Sequence, residues 1–282
     1  MSQAFAPNLL AGKTAFVMGG TRGMNLEIAK RYAQHGANVV VSSRSPERCE
    51  SAAAELTAIG VKSLGIPCDV RDYDGVAAAM KTTFDTFGEI DIVIAGQAGN
   101  FYAPATGMSA NGFKTIIDID LNGTFHVYRA AFQYLRKPGA CLIAISAPEA
   151  VRPLPFQSHV CSAKAGVNML TKCLAIEWGP AGVRVNGISP GPIEDSWGMQ
   201  NVIAVTPEIK AQITAATPLR RWGTVAEVAD SALFLASPAA QYITGTILDV
   251  DGGVTIATPE HGTDAVHNPS ADVRVKGAPK KA

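Results

Sequence analysis

The sequence predicts an α/β protein built on one doubly wound parallel sheet of seven strands, with helices on both faces. Short apolar runs alternate along the chain with segments of helical periodicity, which is typical of a parallel sheet with helical crossovers. No internal repeat interrupts this alternation, so we expect a single domain over residues 1–256 and a polar tail at 257–282. Right-handed crossovers bring the carboxyl ends of the strands to one rim, where ligands are expected.

The first strand–helix unit carries the strongest signal for a ligand. An apolar run from Ala15 to Met18 is typical of a strand buried on both faces, and glycines follow at positions 19, 20 and 23. Apolar residues then recur at helical spacing until Gly36. A glycine-rich turn at a helix N-terminus presents backbone N–H groups to an anion, so we predict a Rossmann-type dinucleotide site. The alternative is that the glycines only form a turn.

The other elements follow in regular order. Strands are predicted at 37–42, 61–66, 90–95, 140–145, 183–188 and 247–250. Helices are predicted after Ser45-Pro46 and at 73–87, 111–135, 158–178 and 224–236. Residues 194–217 are predicted to form a substrate lid, with Met199 in its apolar lining or in ordinary packing.

Composition excludes several classes of function. Lys plus Arg and Asp plus Glu number 24 each, so no net charge favours nucleic acid or an anionic membrane. The five cysteines show no zinc-binding spacing, and we predict no metal site and a reducing compartment. We find neither a signal-peptide pattern nor an apolar run of the ~18 residues that a membrane span needs. These observations predict a cytoplasmic protein.

The end of the second predicted strand indicates which dinucleotide would bind. An acidic residue there would favour NAD, but the chain has Ser43 and Arg44, and Arg22 lies within the glycine turn. Guanidinium groups bind a 2′-phosphate well, so this pair favours NADP(H). The alternative is two solvated surface arginines. Asp69 is placed either to accept a hydrogen bond from the adenine amino group or to cap the next helix.

Several ordered motifs together resemble the short-chain dehydrogenase/reductase family. They are Gly19-Gly20-Thr21-Arg22-Gly23, Cys68-Asp69-Val70, Ser162-Ala163-Lys164-Ala165, Arg184-Val185-Asn186, Pro190-Gly191-Pro192-Ile193 and Asp251-Gly252-Gly253. The resemblance covers about residues 10–255 and implies a homo-oligomer, commonly a tetramer. The cofactor-binding residues it predicts, with those argued above, are Gly19, Thr21, Arg22, Gly23, Met24, Ser43, Arg44, Asp69, Val70, Ala95, Gly96, Lys164, Pro190, Gly191 and Ile193.

The chain departs from the family pattern at the reacting centre. The family's tyrosine, four residues before the lysine, is Val160 here, and its serine falls at Ala147, next to Ser146. Ketone reduction needs a positioned proton donor, and a valine side chain has no proton to give. The family's third turn glycine is Asn25, and its Asn-Asn-Ala-Gly segment is replaced by Ala95-Gly96-Gln97-Ala98-Gly99.

These departures are similar to peroxisomal-type 2,4-dienoyl-CoA reductases, which also lack the tyrosine. That resemblance implies NADPH-dependent reduction of a conjugated enoyl thioester, with Asp120 and Lys164 organising a proton-donating water. Ser146 is a further catalytic candidate, or it only ends the fifth strand. Asn100, Phe101 and His159 are candidates for substrate contacts, although loop packing or a helix start would also account for them. The alternatives are reduction of another carbonyl or hydroxy substrate, and a catalytically silent NADP(H) sensor.

Overall fold

The computed structural model describes residues 5–196, 199 and 206–257. Seven parallel strands form one sheet, as predicted, and their order is β3-β2-β1-β4-β5-β6-β7. The strands are β1 Thr14–Met18, β2 Asn38–Ser43, β3 Ser63–Pro67, β4 Ile92–Ala95, β5 Cys141–Ile145, β6 Arg184–Pro190 and β7 Ile247–Val250. The order reverses between β1 and β4, which opens a crevice at the carboxyl ends of the central strands.

Helices cover both faces of this sheet. They are α1 Gly23–Gln34, α2 Pro46–Ile59, α3 Tyr73–Phe87, α4 Ala110–Ile116, α5 Gly123–Ala131, α6 Ser158–Trp178, α7 Pro207–Ala216 and α8 Val225–Ala236. Alternation along β1 sends Ala15 and Val17 into one core, with α1, α2 and α8. Phe16 and Met18 enter the other core, with α3, α5 and α6.

The predicted helix over 111–135 is present as helical backbone from Ala110 to Tyr134, but it is not a regular α-helix throughout. A π-helical turn at Ile117–Asn122 separates α4 from α5, and α5 ends at Ala131. Such a turn adds one residue to the helical repeat, and it is frequent at functional sites. Here it carries Asp120 into the interior, where 1% of the residue is exposed.

The predicted lid at 194–217 contains a helix that the sequence did not indicate to us. Thr206 caps α7 by accepting a hydrogen bond from the backbone N–H of Ile209, and Pro207 takes the first helical position. Met199 is buried, and residues 197–198 and 200–205 of the predicted lid lie outside the described residues. All of the predicted tail except Ala257 also lies outside them. No helix in the described part of the chain is long and apolar enough to cross a membrane.

Candidate active site

The glycine turn joins β1 to α1 at the centre of the carboxyl rim. Gly19 and Gly23 have φ angles of +75° and +53°, which side chains with a Cβ rarely adopt. Arg22 stands at the N-cap of α1, and its side chain does not cap the helix. The first-turn N–H groups and the positive helix end are therefore free of a side-chain cap, as a pyrophosphate site requires.

Asn25, which replaces the family's third turn glycine, packs against Gly96. Its Nδ2 atom donates a hydrogen bond to the Gly96 carbonyl at 2.6 Å. A Cβ added to Gly96 would lie 2.5 Å from the Asn25 carboxamide atoms. The two departures from the family pattern are therefore complementary, because the glycine at 96 leaves the space that the asparagine fills. The first turn of α1 is thereby tied to the segment that follows β4.

A buried ion pair joins α6 to the π-helical turn. The Lys164 Nζ atom on α6 is 3.1 Å from Asp120 Oδ2, and the two side chains are 6% and 0% exposed. Lys164 also donates to the Ile145 carbonyl at the end of β5, at 2.9 Å. The other Asp120 oxygen, Oδ1, accepts from the Gly99 backbone N–H at 2.8 Å. Of these two Lys164 contacts, only the one to the Ile145 carbonyl is a hydrogen bond, since Asp120 Oδ2 accepts none from the described residues, so the ammonium keeps N–H groups for a ligand.

Val160, which stands where the family has its tyrosine, is part of an apolar wall. Val160 is 4% exposed and packs in a cluster with Ile116 and Ala163, against which Phe101 is also packed. Val160 lies one helical turn before Lys164 on the same face of α6. The wall next to the ion pair therefore suits an acyl chain and offers no acidic proton.

His159 lies next to this wall. Its ring is completely buried, with its centroid 4.2 Å from that of Phe101. Burial lowers the pKa of His159, while the backbone of Phe101 and the Asp120 carboxylate oppose that shift. Neither ring nitrogen completes a hydrogen bond of good geometry with the described residues, although the Phe101 backbone lies near enough to favour the protonated ring. A neutral imidazole here carries one unused donor and one unused acceptor.

Two polar side chains complete the rim beside His159. The Gln157 Nε2 atom donates to Asn100 Oδ1 at 3.0 Å, which holds the segment after β4 against the start of α6. Gln157 Oε1 is buried and has no partner within the described chain. Sequence reasoning identified Asn100 but missed Gln157, whose only signal is its place directly before α6.

Comparisons with known proteins identify the family of this chain. A family model described as enoyl-(acyl carrier protein) reductase matches residues 19–255. The chain belongs to the short-chain dehydrogenase/reductase family. It is 41% identical over 257 residues to a Pongo abelii protein named peroxisomal 2,4-dienoyl-CoA reductase [(3E)-enoyl-CoA-producing], covering 90% of this chain and 88% of that protein. An Arabidopsis thaliana protein of the same name is 35% identical over 271 residues, or 93% and 90% of the two chains.

A solved short-chain dehydrogenase/reductase from Serratia marcescens has the same fold. It matches with a TM-score of 0.81 and 29% identity, over 87% of this chain and 99% of that chain. The predicted fold class and enzyme family are therefore confirmed, and this chain is an oxidoreductase of a family that uses NAD(P)H. The names of the two relatives include the word peroxisomal, so they lend no support to the predicted cytoplasmic location.

In this short-chain dehydrogenase/reductase, the predicted adenosine end of the site lies after β2 and β3. Arg44 is exposed directly after β2, and its charge contributes to the lowered pKa of Asp69. The main cause of that lowered pKa is Arg71, whose Nη2 atom lies 2.5 Å from Asp69 Oδ2. The helix-capping alternative for Asp69 is wrong, because Asp72 is the N-cap of α3.

Two further predicted residues, Ser146 and Ile193, follow the carboxyl ends of β5 and β6. Ser146 is buried, and its hydroxyl donates to Asn168 Oδ1 at 2.5 Å. Asn168 stands one turn after Lys164 on α6 and was not identified from the sequence. Beyond β6, Ile193 bridges to Gly223, since Gly223 N–H donates to the Pro192 carbonyl at 2.9 Å. This bridge fixes the start of the predicted lid beside the site.

Proposed function

We propose that this enzyme uses NADPH to reduce a conjugated enoyl thioester of the 2,4-dienoyl-CoA type. The observation that carries the proposal is the buried Asp120–Lys164 pair beside an apolar wall formed where a catalytic tyrosine would stand. The names of the two curated relatives support the same substrate class.

The residues present fit a dinucleotide. The positive φ angles at Gly19 and Gly23 and the uncapped start of α1 suit a pyrophosphate, and Thr21 and Met24 border that turn. We assign Ser43, Asp69 and Val70 to the adenosine end, Ala95 and Gly96 to the centre, and Pro190, Gly191 and Ile193 to the nicotinamide end. When bound, the cofactor supplies a hydride. An N–H group of Lys164 that does not bond to the Ile145 carbonyl would hold its ribose.

The positions of Arg22 and Arg44 favour NADPH over NADH. Replacing Arg44 with Ala removes a guanidinium from a 2′-phosphate, an interaction of about 1.5–3 kcal/mol, so the Kd of NADPH rises about 10- to 150-fold. The Kd of NADH changes little. Arg48→Ala, which removes an equal charge from the neighbouring surface of α2, is the matched control and changes neither Kd strongly. Equal losses of both cofactors in Arg44→Ala would refute the assignment.

The absence of a tyrosine at position 160 decides how we assign the proton donor. Hydride addition to the conjugated double bond places negative charge on a dienolate that extends to the thioester oxygen, and the reaction ends when a carbon of that dienolate takes a proton. Val160 has no proton to give, and Asp120 Oδ2 lies 3.1 Å from Lys164 Nζ, in a position to accept a hydrogen bond from a water. We assign the proton to a water oriented by Asp120, with Lys164 stabilising the negative charge.

The thioester and acyl group would lie between α4, the start of α6 and the segment after β4. Phe101 and Met199 provide apolar surface, while Asn100 and the neutral ring of His159 provide hydrogen bonds. Ser146 lies at the end of β5 and helps to hold this side of the site through Asn168.

We also infer a homo-oligomer, a tetramer, because Phe125, Met169 and Ile176 are 45%, 60% and 79% exposed on α5 and α6. Light scattering in solution measures the molecular mass and so tests whether the protein is a tetramer.

The deciding experiment follows the loss of NADPH absorbance with a 2,4-dienoyl-CoA, against a ketone panel and a control without substrate. We expect oxidation with the dienoyl thioester alone and a single enoyl-CoA product, whose double bond is located by NMR. Asp120→Ala should abolish this turnover while NADPH still binds. Turnover of a ketone but not of the thioester would establish the carbonyl alternative. Tight NADPH binding without any turnover would leave the sensor alternative.

A further inference from the structure

Gln97 links the segment after β4 to the turn that carries Asp120. Its carboxamide is buried, and its Nε2 atom donates a hydrogen bond to Thr124 Oγ1 at 3.1 Å. Thr124 lies at the start of α5, directly after the π-helical turn. In the sequence, Gln97 belongs to the segment that replaces the family's Asn-Asn-Ala-Gly, and the proposed chemistry leaves it without a role.

The hydrogen bonds of Thr124 fix the direction of this link. The Thr124 hydroxyl donates its one proton to the main-chain carbonyl of Asp120, at 2.6 Å. Its oxygen must therefore accept from Gln97, and only the amino end of the carboxamide can donate. The result is a directed chain from the Gln97 N–H through the Thr124 O–H to the Asp120 carbonyl.

The same short segment also holds the side chain of Asp120. Gly99, two residues after Gln97, donates its backbone N–H to Asp120 Oδ1 at 2.8 Å. Residues 97–99 therefore hold Asp120 at its main chain and at its carboxylate. The Gln97 backbone nitrogen lies only 3.0 Å from where a Gly19 Cβ would stand, so this segment also packs against the cofactor turn.

We propose that Gln97 is a positioning residue that acts through Thr124 to set the π-helical turn and, with it, the contact between Asp120 and Lys164. This inference rests on the proposed function only in assigning Asp120 to the reaction. Gln97 touches neither substrate nor reacting atoms. Its loss should therefore reduce kcat and leave the KM of the thioester and the Kd of NADPH nearly unchanged.

Gln97→Glu tests the chain with little change of shape. A carboxylate has no N–H group to donate, so the Thr124 hydroxyl turns toward it and releases the Asp120 carbonyl. We expect kcat to fall about tenfold or more, the equivalent of one lost hydrogen bond in the transition state. Thr124→Val should give a similar loss, and Thr124→Ser, which keeps the hydroxyl, should retain wild-type kcat.

Thr83→Val is the matched control. Thr83 is equally buried, and its hydroxyl donates to the Ala79 carbonyl four residues earlier at 2.8 Å, but it lies on α3, away from the site. Its variant should keep wild-type kcat. In an Asp120→Asn background, where we expect reduced turnover that can still be measured, Gln97→Glu should cause no further loss of kcat, because both changes act on one group. Additive losses would show that Gln97 acts elsewhere.

Crystal structures of Gln97→Glu and wild type provide a readout that needs no turnover. We expect the Thr124 Oγ1–Asp120 carbonyl contact to break in the variant and the Lys164 Nζ–Asp120 Oδ2 separation to grow beyond 3.1 Å. Unchanged distances, or a Gln97→Glu kcat equal to wild type, would overturn the inference. If wild type does not reduce a dienoyl-CoA, the proposed function fails, and the crystal structures still decide the role of Gln97.

Discussion

Asp120→Asn separates the contribution of the buried ion pair to stability from its contribution to catalysis. Asparagine has nearly the shape of aspartate, and its oxygen still accepts from the Gly99 N–H. The change leaves the Lys164 ammonium without its counter-charge, with the lysine side chain 6% exposed and the Ile145 carbonyl as its remaining partner. An uncompensated buried charge destabilises a fold by about 3–5 kcal/mol.

This energy corresponds to a measurable fall in melting temperature. For a chain of this size, each kcal/mol shifts Tm by roughly 2–4 °C, so Asp120→Asn should melt about 6–20 °C below wild type. Differential scanning calorimetry without ligands measures this shift. Turnover of the dienoyl thioester should fall at the same time by about 100-fold or more, as when a group that organises proton transfer is lost.

The double variant Asp120→Asn/Lys164→Met distinguishes the two effects. Methionine fills much of the space of the lysine stem without its charge, so we expect Tm to recover toward wild type while turnover stays lost. The unpaired-charge reasoning is wrong if the double variant has a lower Tm than Asp120→Asn. It is also wrong if Asp120→Asn has the same Tm as wild type. Retained turnover in Asp120→Asn would remove the carboxylate from the reaction.

Three further predictions concern other parts of the chain. Gly96→Ala places a Cβ 2.5 Å from the Asn25 carboxamide and should destabilise the fold by about 1–3 kcal/mol in urea unfolding, while adding Asn25→Gly should reverse most of that loss. His159→Phe should flatten the pH dependence of stability. In wild type, the unfolded chain protonates this histidine as the pH falls through about 6.5 and the folded chain does so only at lower pH, so wild-type stability falls below that pH. An equal decline in the free energy of unfolding of both proteins between pH 7 and 5.5 would contradict this prediction. Thr224→Ala removes the capping box that Thr224 forms with Glu227 and should cost about 1 kcal/mol in thermal unfolding, with no change in KM.

The sequence predicted the parts of the fold that local signals mark. The bounds of α3 and α6 were predicted correctly, because Gly88 and Gly179 follow their last residues and apolar periodicity fills their length. The long helix over 111–135 was predicted with nearly correct bounds, but its π-helical turn was missed, because such a turn adds one residue and hardly disturbs apolar periodicity. The α7 helix was missed although Thr206-Pro207 is a helix-start signal that could have found it.

The sequence predicted those site residues whose type and place in a motif indicate their function. It did not predict residues whose function depends on a side chain that only the fold brings near. Lys164 and Asp120 were named from the resemblance, and the structure places them 3.1 Å apart. Asp69 could not be assigned, because its interaction with Arg71 depends on the path of the chain after β3. Gln97 and Gln157 were missed for the same reason, since a buried carboxamide has no sequence signature of its own.

The structure explains why Lys164 can remain in a site that has lost the tyrosine. In the apolar surroundings of Val160 and Ile116, an unpaired ammonium would be costly, and Asp120 removes that cost with a contact supplied by the π-helical turn. A regular helix through 117–122 would rotate the residues after the turn by about 100° relative to those before it. It would therefore alter the alignment of Asp120 with Thr124 and Gly99. The irregular turn, the carboxylate and the valine at position 160 thus belong to one arrangement, and under the proposed function a bound water would supply the proton in place of a phenol.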